Sequence, residues 1–324
     1  MEVTERLRQV AEEVAGLDVH GLPDGVLGEV LVELHDIERV LAVARARLTA
    51  VFDLRRAWAA DGSRSAAAWL AERCHSSPVA MRRQVRVARR LRSMPATAAA
   101  WREGRIGSEH VTVLCRLAGS PRAEVAAAFG PAEELLVGCA ADLSFPDFTQ
   151  AVAYWLQQVD PDGVEQEAGD DDAGRHLYAS TTFRGNVEIS GRLPATGGAV
   201  FTSALERLET ELFHTDWADA KATHGEHVRV DQLARTPAQR RADALVEMAR
   251  RAMATPAGAR PPAPLITVLV GYETFAGRIC QLANGTTLTP GQVAPLLTEA
   301  DIERVVFDTP SRVIDIGERT RLLR

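Results

Sequence analysis

The stretch Ser65 to Met94, SAAAWLAERCHSSPVAMRRQVRVARRLRSM, constrains this chain more than any other. It reads as two helices joined by a tight turn. Ser65 to about Cys74 places Ala66, Trp69, Leu70 and Cys74 near one side of the first helix. The second opens with Ser77 as N-cap and Pro78 at the first helical position, and it must stop before Pro95. On it Met81, Val85, Ala88 and Leu91 recur at helical spacing, and Arg82, Arg83, Arg86, Arg89 and Arg90 occupy the remaining surface, with Arg92 beyond. One face is core and the other is guanidinium.

No acid lies between Ser77 and Arg92, in a chain whose formal net charge is -7. That local excess must meet carboxylates from elsewhere in the fold, solvent, or phosphates. A helix-turn-helix reading suits the spacing, because arginine both neutralises phosphate and bonds guanine. However, the turn Cys74-His75-Ser76-Ser77 lacks glycine, and the arginines begin a full turn into the helix, where groove readers use the N-terminal end. Backbone contact is therefore expected rather than base readout. The competing reading is a solvated or internally salt-bridged face.

The chain's 324 residues, 46% hydrophobic and 25% charged, suit a globular protein of about two domains. Residues 1–159 read as an all-helical domain. In it Val26 to Ala60 forms one long helix with Val30, Leu34, Ile37, Leu41, Ala44 and Leu48 on a stripe. That helix is acidic early (Glu29, Glu33, Asp36, Glu38) and basic late (Arg45, Arg47, Arg55, Arg56). Pro121 to Phe129, Pro131 to Ala141 and Phe145 to Val159 are predicted as separate helices, each with proline near its start.

Residues 160–174 hold seven acids (Asp160, Asp162, Glu165, Glu167, Asp170, Asp171, Asp172) and no base, and are predicted as an acidic linker or exposed loop. Residues 175–324 read as a smaller α+β part. It contains a hairpin around Arg184-Gly185, helices from Ala199 to Phe213 and Pro237 to Met253, a strand at Leu265 to Val270, and hairpins at Asn284-Gly285 and Thr309-Pro310-Ser311. The expected class is mostly α, an all-helical half followed by an α+β part with β-hairpins.

Other motifs are weaker. His214 with His224-Gly225-Glu226-His227 offers metal-ligand types but not H-E-x-x-H, and the intervening polar stretch lacks a helical pattern. Asp160-Pro161-Asp162-Gly163 begins like a calcium loop, yet Glu165 stands where glycine is required. Thr196-Gly197-Gly198 lacks a phosphate-loop signature, and His110 sits in an apolar pattern as a core histidine. No catalytic residue, metal ligand or cofactor is identified. The four cysteines (Cys74, Cys115, Cys139, Cys280) form no C-x-x-C pair and are expected to be reduced and mostly buried. Met1 is followed by Glu2 and Glu5 rather than a cationic apolar leader, and no apolar run approaches ~18 residues. A cytoplasmic protein without a membrane role is expected.

Several stretches in order resemble a known family: Phe52-Asp53-Leu54, Ser65 to Leu70, Val87 to Leu91, Pro95 to Ala100, Gly104-Arg105-Ile106, His110-Val111, Arg240-Arg241-Ala242-Asp243-Ala244-Leu245 and Leu282 to Thr286. Together they resemble the actinobacterial domain of unknown function 222, the thirteen-E-twelve repeat family, which precedes HNH endonuclease modules. The resemblance implies a following module in which metal-bound water attacks a phosphodiester. Arg312 to Arg324 is similar to the lead-in to that module. With no histidine after His227 and no cysteine after Cys280, the resemblance carries over no catalytic residue. It implies a non-catalytic domain that binds duplex DNA through Arg82, Arg83, Arg86, Arg89 and Arg90. The alternative is a helical scaffold for self-association or partner binding, a possible homo-oligomer, whose arginines pair with Glu29 to Glu38 and Asp160 to Asp172.

Overall fold

The computed structural model describes residues 2–256, 268–269, 280–282, 286–299, 301–302, 305–309, 312–316 and 320–321. The chain divides into two units, Met1–Ala151 and Val152–Arg324. The described residues are mostly helical, and no helix among them is long and apolar enough to cross a membrane.

The first unit contains α1 (Glu2–Ala15), α2 (Asp24–Leu54), α3 (Ala66–Arg73), α4 (Pro78–Arg90), α5 (Pro95–Arg102), α6 (Ser108–Ala118), α7 (Ala123–Asp142) and the start of α8 (Phe145–Val159). Its core is built on Met94, Ile106, Val111, Leu114, Val125, Leu136 and Phe148. The expected long helix ends at Leu54, six residues early, because Arg56 adopts a left-handed conformation (φ 51°) and a 3-10 turn follows at Ala57–Asp61. Pro131 does not start a new helix but lies inside α7. Proline there costs one backbone bond, yet Val125, Phe129, Glu133, Leu136 and Val137 are buried along a continuous stripe, and packing overrides the break. Glu133 adds a specific tie, since its Oε1 accepts from the Thr97 N–H at the start of α5 (2.8 Å).

In the second unit the segment 160–174, expected as an acidic linker, is instead helical: α9 spans Pro161–Ala173. Its start is locally encoded. Asp160 accepts from the Gly163 N–H, Pro161 occupies the first turn and Asp162 complements the helix dipole. The strands β1 (His176–Thr181) and β2 (Val187–Arg192) form the predicted antiparallel hairpin, with Gly185 at φ 81° donating to Thr182. A second correction follows. The polar stretch after Phe213 is not irregular, for α10 runs unbroken from Ala195 to His224. Thr196-Gly197-Gly198 is its first turn, and α11 (Pro237–Ala254) packs against it.

Further on, β3 (Val268–Leu269), β4 (Cys280–Leu282) and β5 (Thr287–Leu288) make a three-stranded antiparallel sheet. It is followed by α12 (Pro290–Glu299) and by β6 (Asp301–Ile302), β7 (Val305–Thr309), β8 (Arg312–Ile316) and β9 (Thr320–Arg321). Both expected C-terminal hairpins are present as the pairs β4–β5 and β7–β8. Their tips, 283–285 and 310–311, and most of the Leu265 to Val270 strand lie outside the described residues.

Candidate functional site

The predicted helix pair forms as α3 and α4. The Ser65 hydroxyl accepts from the Ala68 N–H (3.1 Å), and Ser77 accepts from Val79 with Pro78 beside it. The turn solves its lack of glycine with His75, which takes the left-handed conformation (φ 50°). The Ser76 N–H then reaches back to the Ala71 carbonyl, closing α3. Val85 and Ala88 are buried, and Val85 packs with Ala66 and Ala67 of α3 against Phe52, Trp58, Leu70 and Met81. Gln84 bonds the buried Thr49 hydroxyl of α2 (3.0 Å), which fixes the rotation of α4 about its axis.

That rotation places Arg82, Arg83, Arg86, Arg89 and Arg90 on the exposed side. Arg89 donates two hydrogen bonds to the Asp53 carboxylate of α2 (2.7 and 2.8 Å), a fork-to-fork pair. Asp53 is only 11% exposed at its side chain, and the Arg89 bonds hold its carboxyl below the usual aspartate range despite that burial. Arg83 donates to Thr112 (3.2 Å) and Arg90 to the Ala118 carbonyl (3.3 Å), both on α6. The Arg90 guanidinium lies where a Cβ on Gly119 would stand, 2.9 Å away. Among the described residues Arg82 and Arg86 have no hydrogen bond or ion pair. None of the five arginines pairs with Glu29, Glu33, Asp36 or Glu38; Asp36 is taken by Arg39.

The result is an open groove of about 570 Å³ along α4. Arg82, Arg86, Arg89 and Arg90 line it with Ser65 and Ser93, over a floor of Ala67 and Val85. Four guanidiniums stand against the one carboxylate of Asp53, so the groove is a net cationic trough with donors spread along about two helical turns. It is suited to a row of separate anionic groups.

Asp53 escaped the sequence reading of the site, standing 36 residues from Arg89. The one available signal was its place in Phe52-Asp53-Leu54, whose Phe52 packs at a tilt against Trp69 with ring centres 4.8 Å apart. His110 is packed as expected, between Phe145 and Phe148, with Nδ1 accepting from the Gly107 N–H. Gly107 is the N-cap of α6. Burial lowers the His110 pKa, the nearby Glu109 opposing weakly. Cys115 is buried, its thiol pushed up to about 12, but Cys74 at the end of α3 is exposed. On α10 and just beyond it, His214 and His224 are exposed, and Glu226 pairs with Lys221 (2.7 Å).

A second arginine cluster surrounds Asp216 of α10. Arg235 donates to it at 2.6 Å and Arg240, the first residue of the Arg240 to Leu245 run, at 3.2 Å. Asp216 and Arg240 are 3% and 5% exposed. Burial would raise the Asp216 carboxyl, but the bonds from Arg235 and Arg240 outweigh it and the net shift is downward. Arg240 also lies over the Phe213 ring at 5.2 Å, and Arg235 reaches Asp243.

One family model, described as a domain of unknown function (DUF222), matches residues 28–324. Comparison with curated proteins and with solved structures found no match.

Proposed function

The chain belongs to that family of domains of unknown function, DUF222, and we propose that this member binds the sugar-phosphate backbone of duplex DNA along α4. The observation that carries the reading is the groove itself: four arginines opposed by the single carboxylate of Asp53, with Arg82 and Arg86 unpartnered among the described residues. Phosphates along a strand supply the missing negative charge, and guanidinium forks bind them bidentately. Base readout is not part of the proposal. The N-terminal turn of α4 presents Pro78, Val79 and Ala80, which have no side-chain donors, and the arginines start only at the fifth helical residue.

The domain is proposed to be non-catalytic and to serve an HNH endonuclease-like activity as its DNA anchor. That part rests on the sequence resemblance, which transfers no catalytic residue to this chain. The competing scaffold reading required the α4 arginines to be engaged by Glu29 to Glu38 and Asp160 to Asp172. Among the described residues only Arg89 has a carboxylate partner, and that partner is Asp53.

The test is a titration of fluorescent duplex DNA at several salt concentrations, with the native chain beside Arg82→Ala/Arg86→Ala/Arg89→Ala. Each phosphate contact contributes a log-log slope of roughly -0.9, so the triple variant should flatten the slope by about 2 to 3 units. A native chain that ignores DNA at low salt, or a triple variant with an unchanged slope, would remove the proposal.

A further inference from the structure

The face of α2 turned away from α4 carries a second pattern. Leu27, Leu34, Leu41 and Leu48 stand seven residues apart, and Val30, Ile37, Ala44 and Val51 each follow three residues later. That is the alternating three-four spacing of a two-stranded coiled coil, held through four heptads. It lies within one unbroken helix of 31 residues, a rod of about 46 Å. The residues that tie α2 into its own unit, Ala46, Thr49 and Asp53, sit on the opposite side, at heptad positions b and f. From Ile37 onward the leucine seam has no cover: Leu41 is 38%, Val51 44% and Leu48 72% exposed. An apolar stripe of this length on one rigid rod is not the scattered exposure common on protein surfaces.

We propose that a second copy of this chain covers the seam, with the two α2 helices packed antiparallel. The charges flanking the seam choose both the partner and the order. Glu33 and Glu38 flank its first half, Arg45 and Arg47 its second. Full overlap in antiparallel order sets Leu27 against Val51 of the second copy, Leu34 against Ala44, Leu41 against Ile37 and Leu48 against Val30. Glu33 of each copy then stands within a turn of Arg47 of the other, and this happens twice. One like-charged approach remains, Glu38 to its own counterpart near the two-fold axis. Parallel order instead sets Glu33 against Glu38 twice and supplies no opposite pair, because flanking residues then meet five positions apart. Neither Glu33 nor Arg47 has an ion-pair or hydrogen-bond partner among the described residues, so both are available. The α4 groove lies on the other side of α2 and stays open in the pair.

Sedimentation velocity of the full chain from about 1 to about 100 µM tests the association, which must depend on concentration. A dimer is expected, and Leu41→Glu should return it to monomer with the helical circular dichroism and the salt slope for DNA unchanged. Orientation is read by oxidative cross-linking in a background carrying Cys74→Ser and Cys280→Ser. Proteins with Leu34→Cys and with Ala44→Cys should cross-link when mixed, and neither should do so alone. A native chain that stays monomeric at the highest concentration overturns the proposal. So does a dimer that persists in Leu41→Glu, and so does efficient cross-linking of either cysteine variant with itself.

Discussion

The arginines of α4 and those of the α10–α11 hairpin are the same residue in opposite circumstances. Around Asp216 every guanidinium has an answering carboxylate: Arg235 has Asp216 and Asp243, Arg240 has Asp216, Arg241 has Glu209, and Arg251 has Glu211 and Glu247. Along α4, among the described residues, only Arg89 of the five arginines has a carboxylate, that of Asp53. The first cluster is partly buried and paired with carboxylates, so its charge is largely answered inside the fold. The second keeps most of its charge at the surface, where it is available to an anion. Counting arginines does not separate the two; counting the carboxylates within about 4 Å does.

The largest effect expected from this contrast is on stability, at Asp216. Asp216→Ala leaves the buried Arg240 without its carboxylate, which should cost about 3 to 5 kcal/mol in the α10–α11 hairpin. Native-state hydrogen exchange of the two helices measures it, and the salt slope for DNA should not move. A loss of DNA affinity in this variant would break the separation of roles.

Asp53→Asn works in the opposite direction. It removes the carboxylate that competes for Arg89, so DNA should bind more tightly, with the gain in affinity larger at low salt. The same change should cost the first unit about 1 kcal/mol by denaturant unfolding. The pH dependence follows in sign. A carboxyl held low in the fold stabilises above the ordinary aspartate value, about 3.9, and that contribution is lost as pH falls through the lowered value. Acid unfolding of the native chain should therefore be steeper than that of Asp53→Asn.

His110 gives a smaller effect in a different pH window. Its folded pKa is depressed by burial, so the unfolded chain takes up a proton first, and stability falls as pH drops below about 6.5. His110→Gln, whose amide can also accept from Gly107, should flatten the fall between pH 7 and 5 in a thermal-melt series. The smallest effect is at Gly119. Gly119→Ala displaces the Arg90 guanidinium from Ala118, should cost roughly 0.5 kcal/mol, and should leave DNA affinity equal or slightly improved because a groove arginine is released.

Much of the fold could be read directly from the chain because its signals are local. Ser65, Ser77-Pro78 and Thr236-Pro237 start helices where side-chain caps and proline geometry dictate, and Gly185 makes the hairpin turn. Two of the failures share one cause. Pro131 and the stretch after Phe213 look like breaks by local chemistry, and both are overridden by burial along a continuous stripe. In α10 that stripe contains Asp216 and Ala220, and a carboxylate in an apolar register hid the helix from a reading based on hydrophobic spacing. A charged residue at a core position was the available signal that a buried counter-ion existed.

The sequence by itself determined where most of the helices lie, which face of α4 is guanidinium and which faces of α2 are apolar. Those properties depend on residues three or four apart, within reach of one another as soon as a turn closes. Only the tertiary structure decided which arginines are neutralised. Asp53 lies 36 residues from Arg89 and Asp216 lies 24 from Arg240, and their pairing exists only at contact distance. Packing Val85 and Ala88 into the core sets that distance for Arg89, and it leaves Arg82 and Arg86 turned toward solvent with no acid to meet among the described residues.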